Sequence, residues 1–192
     1  IEGLGIKGKF ATIILSLIDT KTGDVYLCNA GDNIVHIYDS REKKQKVLTL
    51  QETPAAGPLP TFMVEMKGGF KLEKTHLNKG DILFLYTDGI EEATRKFRDE
   101  NFAVTKCAEP GLKEGDVHGN HKVGLDSEQM EPERVSAIIE AALNKQVYVL
   151  EKYHNPVPGE RLEFDFSKCD GTVQDAILAL CSVEKVFRFY KD

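Results

Sequence analysis

The sequence predicts an α+β fold, with antiparallel sheet in the first half of the chain and long helices in the second. Three observations carry this reading. Short apolar runs rich in β-branched residues recur between Phe10 and Tyr86. The segments between them are too short for the crossover helices of a parallel sheet, so a meandering antiparallel sheet is expected. From Pro132, and again from Thr172, apolar residues recur instead at three- and four-residue spacing, the helical period.

Element by element, Phe10 to Ile18 is an apolar strand, and Asp19 to Asp24 is a turn cluster containing Gly23. Val25 to Cys28 resumes the strand pattern, so the pair reads as a hairpin. Asn29-Ala30-Gly31-Asp32-Asn33 is a small polar loop, Ile34 to Tyr38 alternates as a strand, and Val47 to Leu50 is a short one. Pro54-Ala55-Ala56-Gly57-Pro58-Leu59-Pro60 must be a loop, because its three prolines fix φ and remove donors. Phe62 to Met66, Phe70 to Leu77 and Ile82 to Tyr86 complete the predicted sheet. Glu91 to Phe102 starts as a helix and breaks; Ala108 to Gln129 is polar and aperiodic. Pro132 opens a helix at a tolerated position, with an apolar stripe at Val135, Ile138, Ile139, Ala142 and Leu143. Tyr153 to Gly159 breaks it, and Leu162 to Phe166 alternates as a strand. Thr172 to Tyr190 is a second long helix, with a stripe at Val173, Ile177, Leu180, Cys181 and Phe187, broadened by Val183 and Val186. The whole reads as one domain over 1–192: sheet-rich over 9–90, a loop or insertion over 103–131, and helical over 132–192.

Bulk properties narrow the function. The 192 residues are 41% hydrophobic and 29% charged, as in soluble globular domains. A net charge of -6 argues against nonspecific nucleic-acid binding and against docking on anionic lipid. No apolar run reaches the roughly 18 residues of a membrane span. Four cysteines, Cys28, Cys107, Cys169 and Cys181, form no CxxC pair; a reducing cytoplasm is the simplest compartment. The chain lacks an initiator methionine and runs directly into a strand, so it reads as cut from a longer polypeptide.

The chemistry concentrates in Gly80-Asp81-Ile82-Leu83-Phe84-Leu85-Tyr86-Thr87-Asp88-Gly89-Ile90-Glu91-Glu92-Ala93. An apolar strand that delivers the Asp88 carboxylate beside a glycine can hold a metal ion or reacting group on a rigid base. Asp88 also reads as a strand-ending Asp-Gly turn, and Asp32 as a hairpin-turn residue. Glu91 and Glu92 read as the opening of a helix, where carboxylates complement the dipole. Asp116-Val117-His118-Gly119-Asn120-His121 resembles a metal-binding cluster but lies in aperiodic sequence. His36 and His76 read as ordinary strand residues.

Three of these pieces, CNAGDN (Cys28 to Asn33), GPL (Gly57 to Leu59) and GDILFLYTDGIEEA (Gly80 to Ala93), stand in the order found in another group of proteins. Over residues 9 to 103 the chain resembles the metal-dependent (type 2C) serine/threonine protein phosphatases, most closely their bacterial SpoIIE-like branch. The resemblance implies two antiparallel sheets sandwiched between helices (αββα), with Mn²⁺ or Mg²⁺ between the sheets. It implies Asp88 as a metal ligand that helps position the attacking water, and Asp32 as a contact for a further ion. It also implies a phosphoprotein substrate, such as an anti-sigma-factor antagonist. The family's acidic Gly-Asp-Gly motif is absent. Cys169-Asp170-Gly171-Thr172 is the nearest approach to its last ligand motif, and Thr172 with Asp175 reads as a helix capping box instead. The chain is therefore expected to be a partial domain with little activity alone. A non-catalytic regulatory or protein-interaction module that keeps the sheet is the alternative. The apolar residues Val186, Phe187, Phe189 and Tyr190 spread over more than one helix face, which predicts self-association into a homo-oligomer.

Overall fold

A computed structural model describes residues 9–31, 34–99, 101, 103–105, 117–118, 121–122, 127–151 and 161–189. The fold is α+β, and every strand pairing among the described residues is antiparallel. The chain divides into two compact units, Ile1–Tyr86 and Thr87–Asp192.

The first unit holds two three-stranded sheets. In one, β1 (Ile13–Ile18) pairs with β2 (Asp24–Ala30), and β2 with β5 (Leu72–His76). In the other, β3 (Ile34–Asp39) lies between β4 (Lys44–Thr49) and β6 (Ile82–Phe84). The β1–β2 hairpin closes on the expected turn: the Asp19 carboxylate accepts from the Lys21 and Thr22 amides, and Gly23 takes φ +81°. Alternate residues of both sheets, Val25 and Leu27 on β2 and Val35 and Ile37 on β3, share one core with Leu50. Ile14, Leu48, Leu77 and Leu83 flank it.

The predicted strand at Phe62 to Met66 is instead a helix, α1 (Thr61–Met66). Phe62, Val64 and Met66 alternate, but only Val64 is buried, so the alternation does not mark a sheet face. The Pro60 carbonyl accepts the first helical amides, from Met63 and Val64. The helix ends on Gly68 and Gly69, both at positive φ: the Gly69 amide donates to Val64 O and the Gly68 amide to Glu65 O. That is the Schellman arrangement, which a glycine pair favours.

In the second unit the predicted helix from Glu91 is also overturned. Residues 88–92 form a turn, and β7 (Thr94–Lys96) follows as a strand. Its partner is β10 (Ser127–Gln129), inside the stretch read as aperiodic loop. A two-residue hairpin, β8 (Val117–His118) with β9 (His121–Lys122), lies in the same stretch. Helix α2 (Glu131–Leu143) starts one residue before the expected Pro132, which sits in its first turn, and Val135, Ile138, Ile139, Ala142 and Leu143 are all buried. Strand β11 (Val147–Glu151), absent from the sequence reading, pairs with β12 (Arg161–Asp165).

Helix α3 (Val173–Phe189) opens on the expected capping box. The Thr172 amide donates to the Asp175 carboxylate at 2.8 Å, and the Asp175 amide donates back to Thr172 Oγ1 at 3.2 Å. The Thr172 amide first, and then its hydroxyl, donate to the Asp175 carboxylate and lower its pKa. Its buried face differs from the expected stripe. Ala176, Ala179, Leu180, Val183 and Phe187 are buried, while Val173, Ile177 and Cys181 are exposed. Helix α3 packs against α2. Tyr190 and Tyr153 to Gly159 lie outside the described residues.

Candidate functional site

The three motif segments build distinct pieces of structure. In CNAGDN, Asn29 is buried at the end of β2. Its Nδ2 donates to Gln51 O at 3.2 Å, and its backbone carbonyl accepts from Thr53 Oγ1 at 2.8 Å. Asn29 thus ties the segment leading to the Pro/Gly loop onto the strand. Its Oδ1 is buried with no hydrogen-bond partner among the described residues. Gly31 has φ +91°, and a Cβ there would lie 2.9 Å from Ala55 Cβ and 3.0 Å from Ala55 Cα. The motif needs glycine at this place for both backbone and space. Gly31→Ala is expected to destabilise the first unit by about 1–3 kcal/mol, measurable as a lower urea midpoint. Asp32, the expected contact for a further ion, lies outside the described residues.

The long acidic motif works as an anchor at its start. The Asp81 carboxylate accepts four bonds: from the Ser40 amide (2.9 Å) and hydroxyl (3.0 Å), and from the Asn78 amide (2.8 Å) and side chain (3.2 Å). Burial alone would raise its pKa, but these donors together outweigh burial and lower it. Sequence reading passed over Asp81, since nothing local shows that its partners include Ser40, 41 residues away. Asp81 fixes the start of β6 against the turn after β3. Farther along, Tyr86 hydrogen-bonds His36 Nε2, with the two rings 5.1 Å apart. His36 is fully buried on β3, a strand residue as expected. His76 is likewise structural, 3.4 Å from Asp24.

Strand β6 ends at Phe84, so Asp88 stands in the turn of residues 88–92 rather than at the strand's last residue. Its backbone carbonyl accepts from the Glu92 amide at 2.8 Å. Its side chain is exposed, and no hydrogen bond or ion pair among the described residues engages the carboxylate. Glu91 and Glu92 belong to the same turn and open no helix. Asp170 is exposed before α3, beside the capping box. The Asp116-to-His121 cluster is described only in part, with His118 paired to His121 in the β8–β9 register. Cys28, Cys169 and Cys181 are free thiols; Cys107 lies outside the described residues.

Between GPL and α1 the first unit has a half-open cleft of about 480 Å³, lined by Ala55, Ala56, Gly57, Leu59, Thr61, Val64, Glu65, Gly69 and Phe70. In the second unit, sequence reasoning missed a buried charge cluster. Glu128 on β10 accepts from Arg95 Nε on β7 at 2.5 Å and from Arg134 on α2 at 3.0 Å. Both guanidiniums stack on the Phe187 ring of α3, at 4.7 and 5.3 Å from its centroid. Arg134 also donates to the Gln129 and Met130 carbonyls, so the cluster ties β7, β10, α2 and α3 together and reads as structural.

The chain matches the family model for Stage II sporulation protein E (SpoIIE) over residues 2–114, more than half its length. No curated protein and no solved structure matches it. The family is associated with phosphatase activity and is generally metal-dependent. Asp88 has the right donor chemistry for a hard divalent cation: a free, exposed carboxylate. Among the described residues no group of three or more His, Cys, Asp or Glu side chains gathers to complete a centre. No helix among them is long and apolar enough to cross a membrane. The antiparallel sheets, the free carboxylate of the Thr-Asp-Gly turn and the family match agree: this chain belongs to the SpoIIE family of type 2C phosphatase-like proteins.

Proposed function

We propose that the chain serves a cytoplasmic, Mn²⁺- or Mg²⁺-dependent protein phosphatase that removes phosphate from serine or threonine of a regulatory partner protein. By family precedent that partner is an anti-sigma-factor antagonist. The single observation that carries the reading is the Thr87-Asp88-Gly89 turn: within a segment matched to the SpoIIE family, it presents a carboxylate that no described neighbour occupies. Asp88 would hold a divalent cation, with Asp32 contributing to a further one. When bound, such ions supply a deprotonated water and screen the phosphate charge. Asp81 and the Tyr86–His36 contact hold the segment that leads to Asp88.

The test is hydrolysis of a phosphoserine peptide by the intact protein with Mn²⁺, with Mg²⁺ and with EDTA. Cation-dependent turnover abolished by EDTA is expected. A second reading, a non-catalytic regulatory module that keeps the sheet, is favoured by the absence of a three-ligand group among the described residues. No turnover with either cation, alongside retained folding, would select it.

A further inference from the structure

Strand β1 is an open edge of the first unit. Among the described residues its sheet has the order β1-β2-β5, so β1 has a partner strand on one side only. The Asp19 amide donates to the Asp24 carbonyl, which sets the hydrogen-bonded pairs of the hairpin at every second residue: Leu17 with Tyr26, and Leu15 with Cys28. The amides and carbonyls of Ile14, Ser16 and Ile18 therefore point away from β2. Such a row is a template for another strand, and proteins guard their edges with charged side chains, proline or bulges. The sequence of β1, Ile-Ile-Leu-Ser-Leu-Ile, has neither charge nor proline, and its register with β2 runs without a bulge. The other edges of this unit are guarded. Strand β5 carries Glu73 and Lys74, β4 carries Lys44 and Lys46, and β6 is three residues long. On the outer face, Leu15 is 64% exposed and Leu17 70%. Ser16 and Ile18, on the opposite face, are exposed as well.

We propose that β1 pairs antiparallel with β1 of a second copy of this chain, joining two three-stranded sheets into one continuous sheet across a two-fold axis. Three observations select this occupant. Unpaired main-chain donors and acceptors in an extended row take a strand, not a helix or a small molecule. The matching strand must be apolar and uncharged, and β1 is itself such a strand, whereas β4 and β5 would bring charges against Leu15 and Leu17. Finally, the flanking charges are complementary. Lys9 precedes β1 and Asp19 follows it, both exposed, so antiparallel pairing sets Lys9 of one copy toward Asp19 of the other at both ends. Parallel pairing would set like charges side by side. The net charge of -6 does not oppose the contact, because the paired strands carry none of it. A two-fold axis perpendicular to the sheet keeps the outer faces on one side, so Leu15 and Leu17 of each copy are covered in part by the same row of the other. Phe187, one of the α3 residues expected to drive self-association, is instead fully buried in the second unit. The interface uses residues 9–19 alone and stands whether or not the phosphatase reading does.

Sedimentation equilibrium over a concentration series is expected to show a monomer–dimer equilibrium, with hydrogen exchange at the Ile14, Ser16 and Ile18 amides slowing as the dimer forms. Ser16→Pro removes an outward donor and leaves the β1–β2 ladder its own donors. Leu17→Lys places a charge on the edge at an exposed position. Each should raise the dimer Kd by at least about tenfold, with the circular dichroism of the parent chain retained. The control is Leu72→Lys. Leu72 is 69% exposed on β5 and lies in the row of Leu15 and Cys28, on the same face but at the far edge, roughly 10 Å from β1. It should leave the Kd within about twofold of the parent value. The proposal is overturned if the chain stays monomeric at millimolar concentration, or if it dimerises with a Kd that neither Ser16→Pro nor Leu17→Lys moves. It is also overturned if Leu72→Lys dissociates the dimer as strongly as Leu17→Lys, which would make the contact the sheet face rather than its edge.

Discussion

Replacing Glu128 with alanine is expected to destabilise the second unit by about 3–5 kcal/mol, because it removes the buried carboxylate that two largely buried guanidiniums share. Glu128 is 4% exposed, and Arg95 and Arg134 both bond it while stacking on Phe187. The exposed pair between Glu184 and Arg188, one helical turn apart on α3, is the control. Breaking it should cost only about 0.3–0.5 kcal/mol. Urea denaturation followed by helical circular dichroism reads the second unit, which contains the two long helices. A Glu128→Ala variant within 1 kcal/mol of the parent protein would show that the cluster does not hold the unit together.

The same cluster sets a pH dependence. Burial pushes the Glu128 pKa up, but attraction to Arg95 and Arg134 and their hydrogen bonds outweigh it, so the folded-state pKa is lowered. Burial and repulsion from Arg134 work against the charge on Arg95, yet arginine's ordinary pKa is so high that it stays protonated. A carboxylate whose pKa is lowered on folding contributes stability above its unfolded pKa, and this is lost as pH falls through the folded value. The parent protein should therefore lose stability below about pH 4, and Glu128→Ala should flatten that acid limb.

What the sequence made legible were the elements that specify themselves locally. Helix α2 has Pro132 at its start and a single apolar stripe, and the β1–β2 turn has Asp19 and Gly23 to close it. Helix α1 was misread because six residues are too few to separate a helical period from alternation, although Gly68-Gly69 marked its end. On α3, Leu180, Val183 and Phe187 are buried as expected, but the stripe was rotated elsewhere because large residues were counted as core: Ala176 and Ala179 are buried in place of Val173, Ile177 and Cys181. Strands β7 and β10 were hidden for another reason. Their sequences are charged, and only the pairing of Arg95 with Glu128, 33 residues apart, makes those charges interior. At the candidate site the Thr-Asp-Gly turn was legible from its motif. The roles of Asp81 and Asn29 were not, because their partners Ser40 and Gln51 are distant in sequence.

Asp88→Asn in the intact protein is expected to reduce cation-dependent phosphopeptide hydrolysis by at least about a hundredfold, a loss of roughly 2.7 kcal/mol in transition-state stabilisation. The substitution is nearly isosteric and removes one negative charge, the property a hard divalent cation needs most from its donor. It should leave the fold untouched. The Asp88 side chain is exposed and makes no hydrogen bond or ion pair with a described residue, and the turn is closed by its backbone carbonyl, which asparagine keeps. Stability should therefore stay within about 0.5 kcal/mol of the parent. This separation gives the experiment its force. A structural turn aspartate would lose stability and activity together, or neither; a cation-holding one loses activity alone and recovers part of it at higher Mn²⁺ concentration. Unchanged hydrolysis in Asp88→Asn would remove Asp88 from the site and leave the family match without its chemical anchor.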